Sequence, residues 1–451
     1  MPRWTSSLAA PAEGQPAGGI GAAVAAANLR ARKSVLRGHG GGHAPVSYLE
    51  LFFDLVFVFA ITQLSHSLHH HLTWHGLAEN AALFLAVWWG WIYTAWVSNW
   101  ADPDRLPIRL LLLGVMLASL AMAVAIPDAF AGNGLLFAGS YVALQLGRSF
   151  AATLIFRPEG AARMRNMARI TAWFVASAPL WIGGALASDP NLRLLLWLLA
   201  LAIEYAGPMT MFRTPILGRS SGSDWDISGS HMAERCALFI IIALGEGIVV
   251  TGSAVADAPW GAGLALALAL AIAFAGSALM WWLYFDLGAQ RGAQLISGHA
   301  QAGRVARNAY TYLHMPIVLG VIIAAVGDAL LLEHWHDTAG HDLVLVQTGG
   351  TVLFLGGIGL FKRFANTIRN FPLSHMVAIA ALLLLGLRAW LVPIGALSFV
   401  AGGVGILLAT AVWEWVSYHG GWMERMERLG LPYPQLVRDR FERRRRERAE
   451  P

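Results

Sequence analysis

Twelve predominantly apolar runs, each roughly twenty residues long, follow one another at 48–68, 77–98, 108–128, 135–156, 168–187, 192–212, 235–254, 262–285, 308–331, 343–361, 375–392 and 395–417. A run of ~20 apolar residues is long enough to cross the hydrocarbon of a bilayer as a helix, and lipid admits only segments that satisfy their own backbone hydrogen bonds. With 57% hydrophobic and 13% charged residues, against about 25% charged in soluble domains, no single soluble core could absorb the chain. The pattern predicts an all-α polytopic membrane protein of about twelve transmembrane helices.

Charge lies between the runs and at the C-terminus. All 32 basic residues are Arg apart from Lys33 and Lys362. Arg105 and Arg109, the arginines of 157–169, Arg213 and Arg219, those of 291–307, and 362–369 fall on one side of the predicted bundle. The opposite loops hold little more than Arg193 and Arg388, with the histidines His69, His70, His71, His75, His334, His336 and His341. Because basic loops stay on the cytoplasmic side, both termini are expected in the cytoplasm, with the protein in the bacterial inner membrane. The expected units are a disordered basic tail over 1–45, a first six-helix half over 46–213, a linker over 214–230, a second half over 231–418 and a basic C-terminal tail over 419–451. The Arg-rich end, RDRFERRRRERA, suits anionic lipid headgroups; no nucleic-acid partner is expected. The nineteen Trp residues suit interfacial belts.

Weak internal likenesses recur in order. Trp88-Trp89 resembles Trp281-Trp282, Ala125 to Asp128 resembles Ala325 to Asp328, and Ile203-Glu204-Tyr205 resembles Trp413-Glu414-Trp415. Their spacing predicts two parallel six-helix repeats.

Ionisable groups inside the runs mark candidate sites, because an intramembrane charge must be paired, wetted or neutralised. The first run, SYLELFFDLVFVFAITQLSH, carries Glu50 and Asp54, four residues apart and so on one stripe of a helix. The seventh carries His231, Glu234 and Arg235 at its start and Glu246 between Gly245 and Gly247, glycines that would permit close helix approach. In the repeat alignment Glu246 falls within a residue of the counterpart of Asp54, which would bring one carboxylate from each half to the central axis. Arg148 needs an acceptor, for which Asp54 or Glu246 is the expected partner. His314 shares a helix with Tyr310, Tyr312 and Pro316. Glu50, Asp54, Arg148, Glu246 and His314 are therefore the candidate ion or substrate ligands, and His231, Glu234 and Arg235 a structural or gating ion-pair group at the membrane interface. The outer tract HSLHHH lacks nearby carboxylates, so no metal and no cofactor is assigned.

The blocks ELFFDLVFVFAI and ER followed by LFIIIALGE resemble the hallmarks of the bacterial low-temperature-requirement A family of integral membrane proteins, over about 45–420. The resemblance implies membrane character and a role in growth in the cold, and maps the family blocks onto Glu50, Phe53, Asp54, His231, Glu234, Arg235, Gly245 and Glu246.

Three functions fit these residues. The first is a proton- or cation-coupled secondary transporter of a small solute, working through its intramembrane carboxylates. The second is a membrane-embedded enzyme or accessory protein for lipid or isoprenoid substrates, with Arg148 and Arg235 holding a phosphate. The third is a cold-adaptation protein whose glycines keep helix packing mobile. No HExxH, GxxxxGK[ST] or GxSxG occurs, so the enzymes built on those motifs have no anchor here.

Overall fold

The computed structural model describes residues 34–37, 45–221, 228–256, 263–286, 307–365 and 370–418, with the single positions 430 and 439. The described residues form twelve long helices: α1 (Tyr48–His70), α2 (Trp74–Trp100), α3 (Leu106–Ala125), α4 (Gly134–Ile155), α5 (Ala161–Leu186), α6 (Pro190–Met209), α7 (Gly229–Ala256), α8 (Gly263–Phe285), α9 (His314–Glu333), α10 (His341–Ala365), α11 (Leu373–Leu391) and α12 (Ala396–Tyr418). Ten of them are long and apolar enough to cross a membrane. The other two are α4 and α5, diluted by Gln145 and Arg148 on one and by Arg163, Arg165, Asn166 and Arg169 on the other.

Local chemistry sets the helix starts. Ser47 and Glu50 form a capping box on α1, Thr73 accepts the Gly76 N–H on α2, and Asp189 with Pro190 opens α6; each satisfies donors that the first turn leaves unpaired. A π-helical turn, Arg307–Leu313, leads into α9 just before Pro316. Proline has no N–H and its ring crowds the carbonyl four residues earlier, which a widened turn accommodates.

In the first six helices α1 packs on α2 and α3, α3 to α6 pack in succession, and α2 packs on α6. In the second six α7 packs on α8 and α9, α9 to α12 pack in succession, and α8 packs on α12. The two sets meet where α1 lies against α7 and α9, and α2 against α7. Helix α2 is the central element, with 89% of its apolar window buried. Trp88, Trp89, Trp91, Trp96 and Trp100 are all inside the bundle, whereas Trp74 at the start of the helix and Trp281, Trp282, Trp390, Trp413 and Trp415 elsewhere are exposed. The outer face of α3 is aliphatic: Leu106, Leu110, Leu113, Leu117, Leu120 and Val124 recur every three or four residues along it and are exposed.

The tightest pair is α9 with α10. A Cβ added at Gly320 would lie 2.5 Å from the Phe354 nitrogen, and one at Gly350 would lie 2.6 Å from the Ala324 nitrogen. Backbones approach so closely only where no side chain intervenes.

Residues 34–37 form a strap where the sequence alone reads a disordered tail. Leu36 bridges Ala101, Arg37 N–H donates to the Trp100 carbonyl, and the Val35 N–H and Ser34 hydroxyl donate to Glu159. Fixed partners for backbone and side chain order this segment. The rest of the 1–45 tail before Pro45, the middle of the 214–230 linker and nearly all of 419–451 lie outside the described residues.

Candidate functional site

The seam between α1 and α7 carries the polar groups that the sequence singles out. Glu50 and Asp54 on α1 face His231 and Arg235 on α7, so two side chains one turn apart on one helix meet two with the same spacing on the other. Glu50 is fully engaged: Arg37 Nη2 and the Ser47 N–H each donate to its Oε2 at 2.8 Å, and His231 Nε2 lies 2.9 Å from its Oε1. Asn99 fixes the imidazole. Its Oδ1 accepts the Ser228 N–H and its Nδ2 donates to the Ser228 carbonyl, which directs Nδ2 at His231 Nδ1, 3.1 Å away. A nitrogen facing a donor must be the acceptor, so Nε2 carries the hydrogen and donates to Glu50.

Arg235 Nη2 donates to Asp54 Oδ1 at 2.7 Å, and Trp91 Nε1 donates to the same oxygen at 2.8 Å. The guanidinium also sits over the rings of Phe53 and Trp91, an arrangement that favours a desolvated cation. Arg235 is wholly buried and committed to Asp54. Half of this pair is unused: Asp54 Oδ2 and Arg235 Nε and Nη1 have no hydrogen-bond partner among the described residues. Glu234, half-buried on the same helix, takes no part in the Asp54 pair.

Glu246 lies farther along the seam. Thr62 Oγ1 on α1 donates to Glu246 Oε2 at 2.5 Å, while Oε1 has no partner among the described residues. Thr62 is eight residues beyond Asp54, or ~12 Å of helix, and the interval is filled by Phe57 and Phe239, whose rings stand 6.4 Å apart, with Trp91 at 4.2 Å from Phe239. Asp54 and Glu246 both lie on the α1–α7 seam, at different levels and without touching. Parallel helices in contact align residues at one level, and here Asp54 is level with Arg235 while Thr62 is level with Glu246. The flanking glycines also differ from expectation: a Cβ at Gly245 would meet nothing within 4 Å, and one at Gly247 would touch Ser277 Oγ at 3.4 Å.

Arg148 is paired with neither Asp54 nor Glu246. It donates through Nη1 to the Gly90 carbonyl and Thr94 Oγ1, both at 3.2 Å, and through Nη2 to Gln145 Oε1, while Tyr93 and Phe174 flank its charge. Helix α4 turns Tyr141, Gln145 and Arg148 to one face, and Asp54 lies across α2 from them. Gln145 Nε2 donates to the Tyr141 hydroxyl, which donates to Glu204 on α6. Ser177 and Trp181 of α5 complete the Glu204 carboxylate at 2.7 and 2.8 Å. In the second set, Glu414 on α12 is held by Lys362 of α10 and by Ser374 and His375 of α11.

His314 is fully satisfied, between the Tyr284 hydroxyl at 2.9 Å and the Ala309 carbonyl of the π turn. The outer histidines do not gather into a metal centre among the described residues; His69 Nε2 approaches Glu333 at 3.3 Å and His75 pairs with Glu79. Thr62, Trp91, Asn99, Thr94 and Tyr141 are site residues that the sequence reading does not name. Tyr141 was within reach, since it stands one and two turns before Gln145 and Arg148, whereas the others are neutral groups with nothing in the sequence to link them to a charge on another helix.

The family model described as bacterial low temperature requirement A protein (LtrA) matches residues 45–412. A protein of Rhizobium meliloti (strain 1021), described as uncharacterized, is 41% identical over 390 residues, which cover 85% of this chain and 92% of that relative. No solved structure matches the chain. The matched segment includes the α1 and α7 blocks that build the seam, and the chain belongs to the bacterial low temperature requirement A (LtrA) family.

Proposed function

We propose that this multi-pass membrane protein is a proton- or cation-coupled secondary transporter of a small solute, with both termini in the cytoplasm and its two sets of six helices related as parallel repeats about an axis near the α1–α7 seam. The observation that carries the reading is Glu246: a carboxylate inside a membrane bundle whose one named partner is a hydroxyl, with a second oxygen left open. An intramembrane acid of that kind either takes a proton or holds a cation, and its charge then decides which packing of the seam is favoured.

Two features support a seam that opens from either side. The aromatic layer of Phe57, Phe239 and Trp91 separates Glu246 from the Asp54–Arg235 pair, as a thin gate does. The open atoms of that pair offer a polar ligand an acceptor on Asp54 and donors on Arg235. For the repeat, the matching helix neighbours support the reading, as does the way Glu204 and Glu414 each take partners from the two helices that precede theirs. The two outer-side arginines also fit the proposed topology. Arg193 is held by carbonyls beyond the end of α3 and at the end of α5, so it is a structural charge and not a loose one; Arg388, which donates to the Val392 carbonyl, is a single exposed charge against the many basic residues of the other side.

The test is a solute and cation screen in proteoliposomes under an imposed pH gradient, comparing wild type with Glu246→Gln and Asp54→Asn. Gradient-driven uptake that Glu246→Gln abolishes while the purified variant keeps the wild-type helical spectrum is the expected result. Equal uptake by wild type and Glu246→Gln overturns the reading.

A further inference from the structure

Away from the seam, a narrow crevice lies between α2, α4, α5, the end of α6 and the π turn, lined by Tyr93, Trp96, Trp100, Arg148, Met167 and Ile170, with Ser149 and Thr311 as further hydroxyl-bearing members. We propose that this crevice binds one small, weakly hydrated monovalent anion of the halide or nitrate class on Arg148. Charge makes the first argument. A buried guanidinium needs a counter-charge, yet the three hydrogen-bond acceptors of Arg148 are a carbonyl, a hydroxyl and an amide, all neutral, and no ion pair to it exists among the described residues. Its Nε–H has no partner among the described residues, so a buried cation that lines the crevice keeps an unused donor. Glu204, the acid connected to it, is two neutral side chains away, through Gln145 and Tyr141, and has three donors of its own.

Size and wall chemistry choose the class of anion. Beside Arg148 the crevice is narrow, with room for about one water-sized group, which suits a monatomic or small planar anion. The remaining lining is almost entirely apolar. It offers few hydrogen bonds in exchange for a hydration shell, so a strongly hydrated divalent anion such as sulfate would lose more than it gained. A halide has far less hydration to lose than sulfate, the guanidinium charge offsets that loss, and the positive ring edges of aromatic side chains tolerate it. The site requires no transport and stands apart from the seam.

The test is equilibrium binding of radiolabelled chloride to the purified full-length protein in detergent, by scintillation proximity, with bromide, nitrate, sulfate and gluconate as competitors at equal ionic strength. Saturable binding that bromide and nitrate displace and sulfate and gluconate do not is the expected result, with affinity reduced roughly tenfold or more in Arg148→Gln. Ile170→Phe, which fills the crevice and leaves the guanidinium in place, should lose binding to the same extent and serves if Arg148→Gln does not fold. Absence of saturable binding to wild type, equal displacement by sulfate, or undiminished binding in either variant overturns the proposal.

Discussion

Thr62 on α1 donates a hydrogen bond to Glu246 on α7 across 184 positions of sequence, and the second oxygen of that carboxylate meets no donor among the described residues. The bond sets the register of the seam. With Glu246 level with Thr62 and Asp54 level with Arg235, the seam has two polar levels separated by aromatic rings, and each level has open hydrogen-bonding capacity.

The Asp54–Arg235 pair should behave as a buried ion pair whose members depend on each other. Asp54→Asn leaves the guanidinium without its counter-charge and should lower stability by about 3–5 kcal/mol. The double variant Asp54→Asn, Arg235→Gln should lose less than the sum of the two single changes, by about 1 kcal/mol or more. Reversible denaturation in mixed micelles measures both; additive losses would mean that the two side chains are not coupled.

Glycine substitutions should separate by packing and not by nearness to Glu246. Gly320→Ala and Gly350→Ala push a methyl into the backbone of the facing helix and should cost about 1–3 kcal/mol. Gly245→Ala, which meets open space, should be neutral or gain up to about 1 kcal/mol from helix propensity. Thermal unfolding of the three proteins orders them, and a destabilised Gly245→Ala would contradict the packing described for α7.

Arg193 should be a structural arginine that lysine cannot replace. Its guanidinium reaches the carbonyls of Ala129, Ala131, Gly184, Ala185 and Ala187 while stacking on Trp197. A compact ammonium cannot span that set, so Arg193→Lys and Arg193→Leu should both lower stability, by roughly 1–3 kcal/mol. Melting temperatures of the two variants decide this, and full recovery with lysine would show that charge alone matters.

Much of the architecture is legible in the sequence because lipid leaves the chain few choices. The apolar runs mark the twelve helices, and Glu50 with Asp54 marks the face of α1 that must be turned inward. Periodicity does not report which residues on other helices face a given side chain. The sequence offers acids for Arg148 because they are conspicuous, whereas the fold supplies Gly90, Thr94 and Gln145, two of which any helix could contain. The neighbour of Glu246, Thr62, depends on how α7 slides along α1, a tertiary quantity that neither helix's own sequence states. Burial of Trp88, Trp89, Trp91, Trp96 and Trp100 follows from the central place of α2, which composition cannot reveal.

The most direct measurement of the central claim is intravesicular pH in proteoliposomes holding wild type, Glu246→Gln or Thr62→Val, after an imposed pH jump, with the solutes and cations of the screen present one at a time. The account predicts that, with at least one of them, wild type collapses the gradient, Glu246→Gln leaves it as empty vesicles do, and Thr62→Val falls between them, because it keeps the carboxylate and loses only its hydroxyl donor. Collapse by Glu246→Gln at the wild-type rate, or no protein-dependent change with wild type under any condition, would contradict it.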